Sequence, residues 1–468
     1  VYPARGLVAI SEWVREKRAT YQDTVDKHST LIRPMIVLSI LSVLTFTHTG
    51  YEYFYVWAKQ DTQHIANDGD LAHVSKDLND IDLVDTNVYM SALHYRHPTV
   101  AYLATNYNQI RWLVGAESLA IPDEGAALYL FPQSALPPDE WLRNWGTALT
   151  AKPFDPNGNV DYYAYHFDAT ETLRLPEFRP VYTTFSDIID LTGYRMVGLT
   201  EGILTVDLHL KVQNAPDLGD YRIVVDLVDQ WNMHWSQTFN DSYPSEQWQP
   251  GETIIARVEI PFPVGTPPGT YTLAVTIYSA QEDRNLPATN MAGITMAHAS
   301  IGPIAVPRAV DFSALPQTQH SADTQLGELT LFGYNLHQTA VRPGDHLLLD
   351  LYWKSDHTPS EDLELTLILG EITIETGAPV HGTYPTTKWE AGEIVIDQHI
   401  IRLPRDITDG EHLLSLSMSD SRNRSASIEL GHITVGAIER VLTAPTPSQS
   451  TDINLGDWVN LMGYDLET

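Results

Sequence analysis

The sequence predicts a multi-domain chain: one transmembrane helix, a small α/β domain, then tandem antiparallel β-sandwich (immunoglobulin-like) domains. Three observations predict it. Pro34–Tyr51 is a run of 18 residues without Asp, Glu, Lys or Arg. Segments of helical and strand period then alternate to about Gly146. From about Asp161 the apolar period becomes two, and a set of residue patterns recurs. A length of 468 residues suits about three domains.

The apolar run comes first. A helix of that length reaches roughly 27 Å, close to the ~30 Å hydrocarbon layer of a bilayer. Tyr51, Tyr53, Tyr55 and Trp57 follow it, the residue types that favour a membrane interface. Thr45, Thr47 and His48 weaken the run and leave a buried core helix as the alternative. Up to Arg33 the chain carries six Lys and Arg against four Asp and Glu, a net +2. The rest carries 22 against 56, a net −34. A basic short flank marks the cytoplasmic side, so residues after 57 are expected outside the cytoplasm, with the lipid bilayer as a partner. The acidic remainder argues against nucleic acid, whose phosphates need a basic face. The chain has no cysteine, hence no disulfide, thiolate nucleophile or cysteine zinc site. Residue 1 is Val, and a recurring motif restarts just before Thr468, so a piece of a longer protein is expected.

The expected spans are 1–33 for the flank, 34–57 for the membrane helix and 58–150 for the α/β domain. The first sandwich is expected over 151–306, the second over 307–436, and the start of a third over 437–468. Within the α/β span, Leu71, Val74 and Leu78 have helical spacing behind a possible Asp70 cap. Asn87–Met90, Ile110–Val114 and Ala127–Phe131 read as strands, and Pro98–Ala104 as a helix with Pro in its first turn. This alternation predicts a parallel sheet. Beyond it, Leu204, Val206, Leu208, Leu210 and Val212 alternate with polar residues, and Leu347, Leu349, Leu351 and Trp353 alternate with Leu348, Asp350, Tyr352 and Lys354. Leu191-Thr-Gly-Tyr returns as Leu331-Phe-Gly-Tyr and again as Leu461-Met-Gly-Tyr. Tyr243-Pro-Ser-Glu-Gln-Trp-Gln-Pro-Gly-Glu252 returns as Tyr384-Pro-Thr-Thr-Lys-Trp-Glu-Ala-Gly-Glu393. Two complete sandwiches and the first strand of a third follow.

Few residues suggest chemistry. His94, Tyr95 and His97 follow a strand and open a helix, where α/β domains place ligands. The plainer reading is a turn and a helix start. Trp248 and Trp389 could stack on sugar rings, but their equal place in each repeat favours core packing. Asp155–Asp161 spaces its acids and amides like a calcium loop, yet Val160 stands where that loop needs Gly, so a turn is simpler. Asp139-Glu140 reads as a helix start. The sequence has no phosphate-binding glycine loop, nucleophile elbow or paired-histidine zinc motif. No cofactor, metal site or catalytic residue is identified.

Tyr53-Phe-Tyr-Val-Trp-Ala58, Gly69-Asp-Leu71, Asn87-Val-Tyr-Met-Ser-Ala92, His94-Tyr-Arg-His-Pro-Thr99, Ile110-Arg-Trp112 and Ala127-Leu-Tyr-Leu-Phe-Pro132 together resemble one family. It is the C-terminal part of bacterial polytopic membrane glycosyltransferases of family 39, relatives of protein O-mannosyltransferases. The resemblance covers roughly Leu31 to the end and rests on no single diagnostic motif. It implies sugar transfer from a polyprenyl-phosphate donor to an acceptor outside the cytoplasm. The family's catalytic acid lies between early membrane helices that this sequence does not contain, so the resemblance assigns no catalytic residue here and implies a fragment inactive alone. Partners would be a lipid-linked sugar or a glycan acceptor. The competing class is a membrane-anchored surface protein whose sandwiches bind carbohydrate or mediate adhesion.

Overall fold

The structure is a computed structural model that describes residues 29–57, 60–155, 157–168, 175–216, 219–309, 311–422, 424–437, 447–454 and 460–465. The basic flank to residue 28 lies outside them. The chain divides into two compact units, 1–177 with 242–254, and 178–241 with 255–468.

The apolar run forms the helix Ser29–Tyr51, continued by a π-helical stretch, Glu52–Trp57. From Val37 to Trp57 the large apolar side chains described are exposed. Thr45 and Thr47 bond back to the carbonyls of Leu41 and Val43, both at 2.8 Å. This satisfies their hydroxyls without a partner helix. Tyr51 stacks on Tyr55, and Tyr53 on Trp57 with centroids 4.9 Å apart. Among the described residues no helix is long and apolar enough to cross a membrane. The expected crossing is therefore not shown.

The α/β domain is built on a sheet of order β2-β1-β4-β6-β5. Its strands are β1 (Thr86–Ala92), β2 (Ile110–Val114), β4 (Ala126–Pro132), β5 (Leu149–Ala151) and β6 (Tyr162–Phe167). β3 (Ser118–Ile121) lies between β2 and β4 in the chain. β1 runs parallel to β2 and to β4, as the alternation predicts. β6 runs antiparallel to β4, and β5 to β6, so the sheet is mixed and reaches beyond residue 150. A short loop joins β5 to β6, and short links permit only antiparallel pairing. The helix Gly69–Leu78 buries Leu71, Val74 and Leu78 with Val88, Met90, Trp112, Leu128 and Leu130. Its cap is Asp68, left-handed at φ 57°, rather than Asp70. Asp70 sits inside the first turn, fully buried, and accepts from the amides of Leu71 and Ser134, each at 2.8 Å.

Segment 242–254 belongs to this unit although the chain on either side belongs to the other. It covers edge strand β2. The Gln247 amide accepts from Trp112 N at 2.7 Å and donates to Trp112 O at 3.1 Å, and Val114 N donates to Ser242 O at 2.6 Å. An edge so covered offers no free ladder to another chain. The segment closes on Glu252, which is 1% exposed. Tyr243 Oη stands 3.0 Å from both its carboxylate oxygens, Tyr89 Oη donates to it at 2.7 Å, and Arg111 Nη1 at 3.0 Å. Burial raises the Glu252 carboxyl above the ordinary range, opposed by the Tyr89 hydrogen bond and the Arg111 charge.

The second unit holds the sandwiches. In the first, β7 (Arg179–Phe185), β8 (Ile189–Thr200), β9 (Ile203–Val212) and β12 (Thr253–Pro261) share one sheet with β15 (Ala288–Asn290) and β16 (Thr295–Met296). The other sheet has the order β11-β10-β13-β14, with β17 also on β13. Its strands are β10 (Tyr221–Val228), β11 (His234–Asn240), β13 (Gly269–Ser279), β14 (Arg284–Asn285) and β17 (Ala299–Val306). In the second sandwich, β18 (His320–Leu326), β19 (Leu329–Leu336), β21 (His346–Lys354) and β24 (Ile394–Arg402) form one sheet. The facing sheet has β20 (Ala340–Val341), β22 (Glu364–Leu369), β23 (Ile372–Gly377), β25 (Gly410–Ser419) and β26 (Ser425–Val435). The alternating Leu347, Leu349, Leu351 and Trp353 meet Leu365, Leu367, Leu414 and Leu416 in its core. The third copy of the motif forms a hairpin, β27 (Gln449–Asn454) with β28 (Asn460–Tyr464).

The second sandwich also encloses His399, which is 2% exposed. Its Nδ1 lies 2.9 Å from Glu375 and its Nε2 3.1 Å from Asp397. Burial alone would lower its pKa, but Asp397 and then Glu375 hold it up at about 10.

Two outcomes follow from these contacts. Glu252→Ala leaves Arg111 without its buried partner and costs about 3 kcal/mol, so hydrogen exchange over Thr86–Val114 accelerates on the order of 100-fold. A folded pKa raised from 6.5 to about 10 gives His399 a stabilising contribution that is complete below pH 6.5 and disappears as pH rises to about 10. Thermal unfolding of the second sandwich should therefore occur at lower temperature at pH 10 than at pH 6, a difference that His399→Gln removes.

Candidate functional site

In a partly parallel sheet the place to look is where neighbouring parallel strands send their chains in opposite directions. That place is between β1 and β4. After β1 the chain turns toward β2, and after β4 toward β5 and β6. The C-terminal ends of these strands carry His94 and His97 on one side and Gln133 and Ser134 on the other. The start of the helix Gly69–Leu78 lies with them, since Asp70 accepts from Ser134 N.

Asp161, 1% exposed, is the centre of the arrangement. His64 Nε2 stands 2.9 Å from its Oδ1, and His73 Nδ1 2.6 Å from its Oδ2. The other nitrogen of His73 is 3.5 Å from Asp77, which accepts from Tyr162 Oη at 2.5 Å. Burial and that bond to Asp77 push the Tyr162 hydroxyl up. The second nitrogen of His64, Nδ1, faces Gly69, where a Cβ would lie only 2.3 Å from it. His73 thus has both nitrogens against carboxylates, whereas His64 is held by Asp161 through Nε2 and turns Nδ1 toward Gly69. The two rings touch the carboxylate directly, leaving no room between them for a cation, and among the described residues no group of three or more His, Asp or Glu could hold a metal ion.

A cleft of about 540 Å³ opens beside this centre, lined by His64, Ile65, Gln133, Asp155, Asn159, Asp161 and Tyr163. Its rim is the Asp155 loop. Asp155 Oδ1 accepts from the amides of Asn157 and Asn159, both at 2.8 Å, and Gly158 takes φ 89°. The carboxylate is thus occupied in holding a turn, as the simpler reading of that loop has it. The cleft size falls within the usual ~300–1,000 Å³ of small-molecule sites.

The structure places the sequence-derived candidates as follows. His97 is buried and caps the helix Pro98–Leu103, with Thr99 N 3.4 Å from its Nδ1. Its Nε2 lies 3.9 Å from Asp68, which also accepts from Thr99 Oγ1 at 2.6 Å. His94 stacks on His97 with centroids 6.0 Å apart. Tyr95 turns away and donates to Glu246. Trp248 and Trp389 are buried, and each indole donates to the carbonyl of its own repeat's tyrosine, Trp248 to Tyr243 at 3.0 Å and Trp389 to Tyr384 at 3.1 Å. Neither lies at the cleft. Sequence reasoning missed His64, His73 and Gln133 and read Asp161 only as part of a turn. Asp161 lies 97 and 88 residues from its two histidines, so spacing holds no signal for the cluster.

No family model and no curated protein matches the chain. Among solved structures it is similar to fibronectin(III)-like modules of Clostridium thermocellum CbhA, with 11% identity over 49% of this chain and 85% of that one, at a TM-score of 0.13. It is also similar to the native conformation of E. coli alpha-2-macroglobulin, with 10% identity over 75% of this chain and 22% of that one, at a TM-score of 0.15. Scores so low carry no argument, and the sandwich assignment rests on the sheets described above. None of these findings supports membership of glycosyltransferase family 39.

Gly69→Ala adds a methyl group where His64 must lie. Helix propensity alone favours Ala over Gly by about 1 kcal/mol, yet the ring should be forced off Asp161. Imidazole ¹⁵N NMR should then show His64 losing its hydrogen-bonded signal while His73 keeps its own.

Proposed function

We propose that this chain is the non-catalytic, surface-displayed part of a cell-envelope protein. In this reading it holds a hydroxyl-rich ligand of the saccharide class in the α/β cleft, and the sandwiches act as spacing modules. The observation that carries it is the cleft itself: about 540 Å³, lined by Gln133, Asn159 and Tyr163, amide and hydroxyl groups beside an aromatic ring. Such groups suit the donors and acceptors of a sugar, and a ring suits its apolar face. A net charge of −32 disfavours polyanionic ligands. Both nitrogens of His73 lie against carboxylates, which favours a positioning role over acid–base catalysis for that ring.

A second reading keeps the same cleft and makes the chain the C-terminal region of a membrane glycosyltransferase using a polyprenyl-phosphate donor. One observation favours it: the exposed apolar helix, ending in stacked Tyr51, Tyr53, Tyr55 and Trp57, directly precedes the α/β domain. In both readings residues after 57 lie outside the cytoplasm and the helix meets the bilayer.

A glycan array probed with the full chain should show saturable binding that Tyr163→Ala weakens at least tenfold. Retention of full affinity by Tyr163→Ala, with the fold intact by circular dichroism, would remove the cleft from the proposal. Absence of binding to any glycan would remove the saccharide reading.

A further inference from the structure

The outer face of one sheet in the first sandwich carries an exposed aromatic ring among polar side chains. On β10, Ile223, Val225 and Leu227 point into the core, so Arg222, Val224 and Asp226 point out. Register places Phe239 and Thr276 on either side of Val224, Gln237 opposite Asp226, and Tyr278 opposite Arg222. Asn285 extends the Tyr278 row onto β14. These residues line a depression of about 520 Å³ on the sheet. Phe239 is 54% exposed, with the Arg222 guanidinium 5.4 Å from its ring centroid. Gln237 is braced by Asp226 at 2.7 Å, and Tyr278 by Asp283 at 2.6 Å. An aromatic ring framed by braced polar groups offers a flat apolar surface with hydrogen-bonding groups at its edge.

The second observation is Thr276. It is 5% exposed, it lines the depression, and its Oγ1 has no hydrogen-bond partner among the described residues. A buried hydroxyl without a partner is expensive, and a ligand atom would relieve it.

We propose that this face is a second binding site, for a neutral glycan chain lying across β11, β10 and β13. Phe239 and Tyr278 supply stacking surface, Arg222, Gln237 and Asn285 supply hydrogen bonds, and Thr276 Oγ1 anchors one hydroxyl. The charges of the face point to a neutral ligand: Arg222 and Arg284 pair with Asp241 and Glu282, and Asp226 and Asp283 hold Gln237 and Tyr278. The site deepens the saccharide reading of the chain and is independent of the α/β cleft.

The test is affinity electrophoresis of the full chain through gels containing soluble glucan, xylan or mannan. Wild type should be retarded by at least one of them, and in a Tyr163→Ala background, which removes the cleft, Phe239→Ala should weaken the remaining retardation at least tenfold. Thr276→Val gives the decisive contrast. It deletes an unpartnered hydroxyl and keeps the shape, so stability should hold or rise while affinity falls at least threefold. Tyr163→Ala, in the cleft, should leave binding at this face unchanged. Retardation sensitive to Tyr163→Ala but not to Phe239→Ala would overturn this site and leave the cleft reading standing. Retardation sensitive to Phe239→Ala alone would support this site and sink the cleft. No retardation in any gel would overturn both.

Discussion

The buried carboxylate of Glu252 sets a constraint that much of the first unit satisfies. A charged group at 1% exposure must be surrounded by donors or it would destabilise the fold. Tyr243 and the Gln249 amide come from its own segment, the latter at 3.2 Å, while Tyr89 and Arg111 come from β1 and β2. Those donors fix where segment 242–254 must lie, and its position in turn covers the edge of β2. The second repeat builds the same clasp. Tyr384 Oη is 2.9 Å from Glu393, the Glu390 amide donates at 2.7 Å, and Gly392 takes φ 86° where Gly251 takes 80°. There the arginine is Arg308, whose guanidinium lies 5.8 Å from the Tyr384 ring centroid and donates to Lys388 O at 3.1 Å. A tyrosine, a tryptophan, a left-handed glycine and a glutamate thus form one unit that recurs, with an arginine supplied from elsewhere in each case.

The sandwiches carry further charges in their interiors. Asp207, fully buried, is held by Arg195 at 2.5 Å and Arg257 at 2.8 Å. In the second sandwich Asp397 accepts from Trp353 Nε1 at 3.2 Å and from Val380 N at 2.8 Å as well as pairing with His399. Val380 and His381 adopt φ 53° and 50°, a left-handed conformation that a β-branched residue resists. The bond to Asp397 and the burial of the Val380 side chain hold it there. These pairs select one arrangement of the strands, because removing either partner would strand a charge in the core.

Much of the architecture was legible in the sequence because it depends on local periodicity. Leu347, Leu349, Leu351 and Trp353 alternate along the chain and are all fully buried. Leu71, Val74 and Leu78 repeat at helical spacing and all face the sheet. The three Gly-Tyr motifs fall on β8, β19 and β28. The cap of the helix Gly69–Leu78 was misplaced by two residues because a left-handed aspartate leaves no mark distinct from an ordinary one. The reach of the sheet to β6 was missed because β5 and β6 are joined by a loop, with no helix to signal a crossover.

By itself, then, the sequence determined the strand and helix periods, the repeat, the acidic balance and the absence of cysteine chemistry, all properties of neighbouring residues or of totals. Only the tertiary structure decided what Asp161, Glu252 and Thr276 do. Asp161 meets His64 and His73, Glu252 meets Tyr89 and Arg111, and Thr276, which lines a depression, keeps a buried Oγ1 without a partner among the described residues. Each outcome depends on which distant strand arrives beside the residue, and chain folding, not local spacing, sets that.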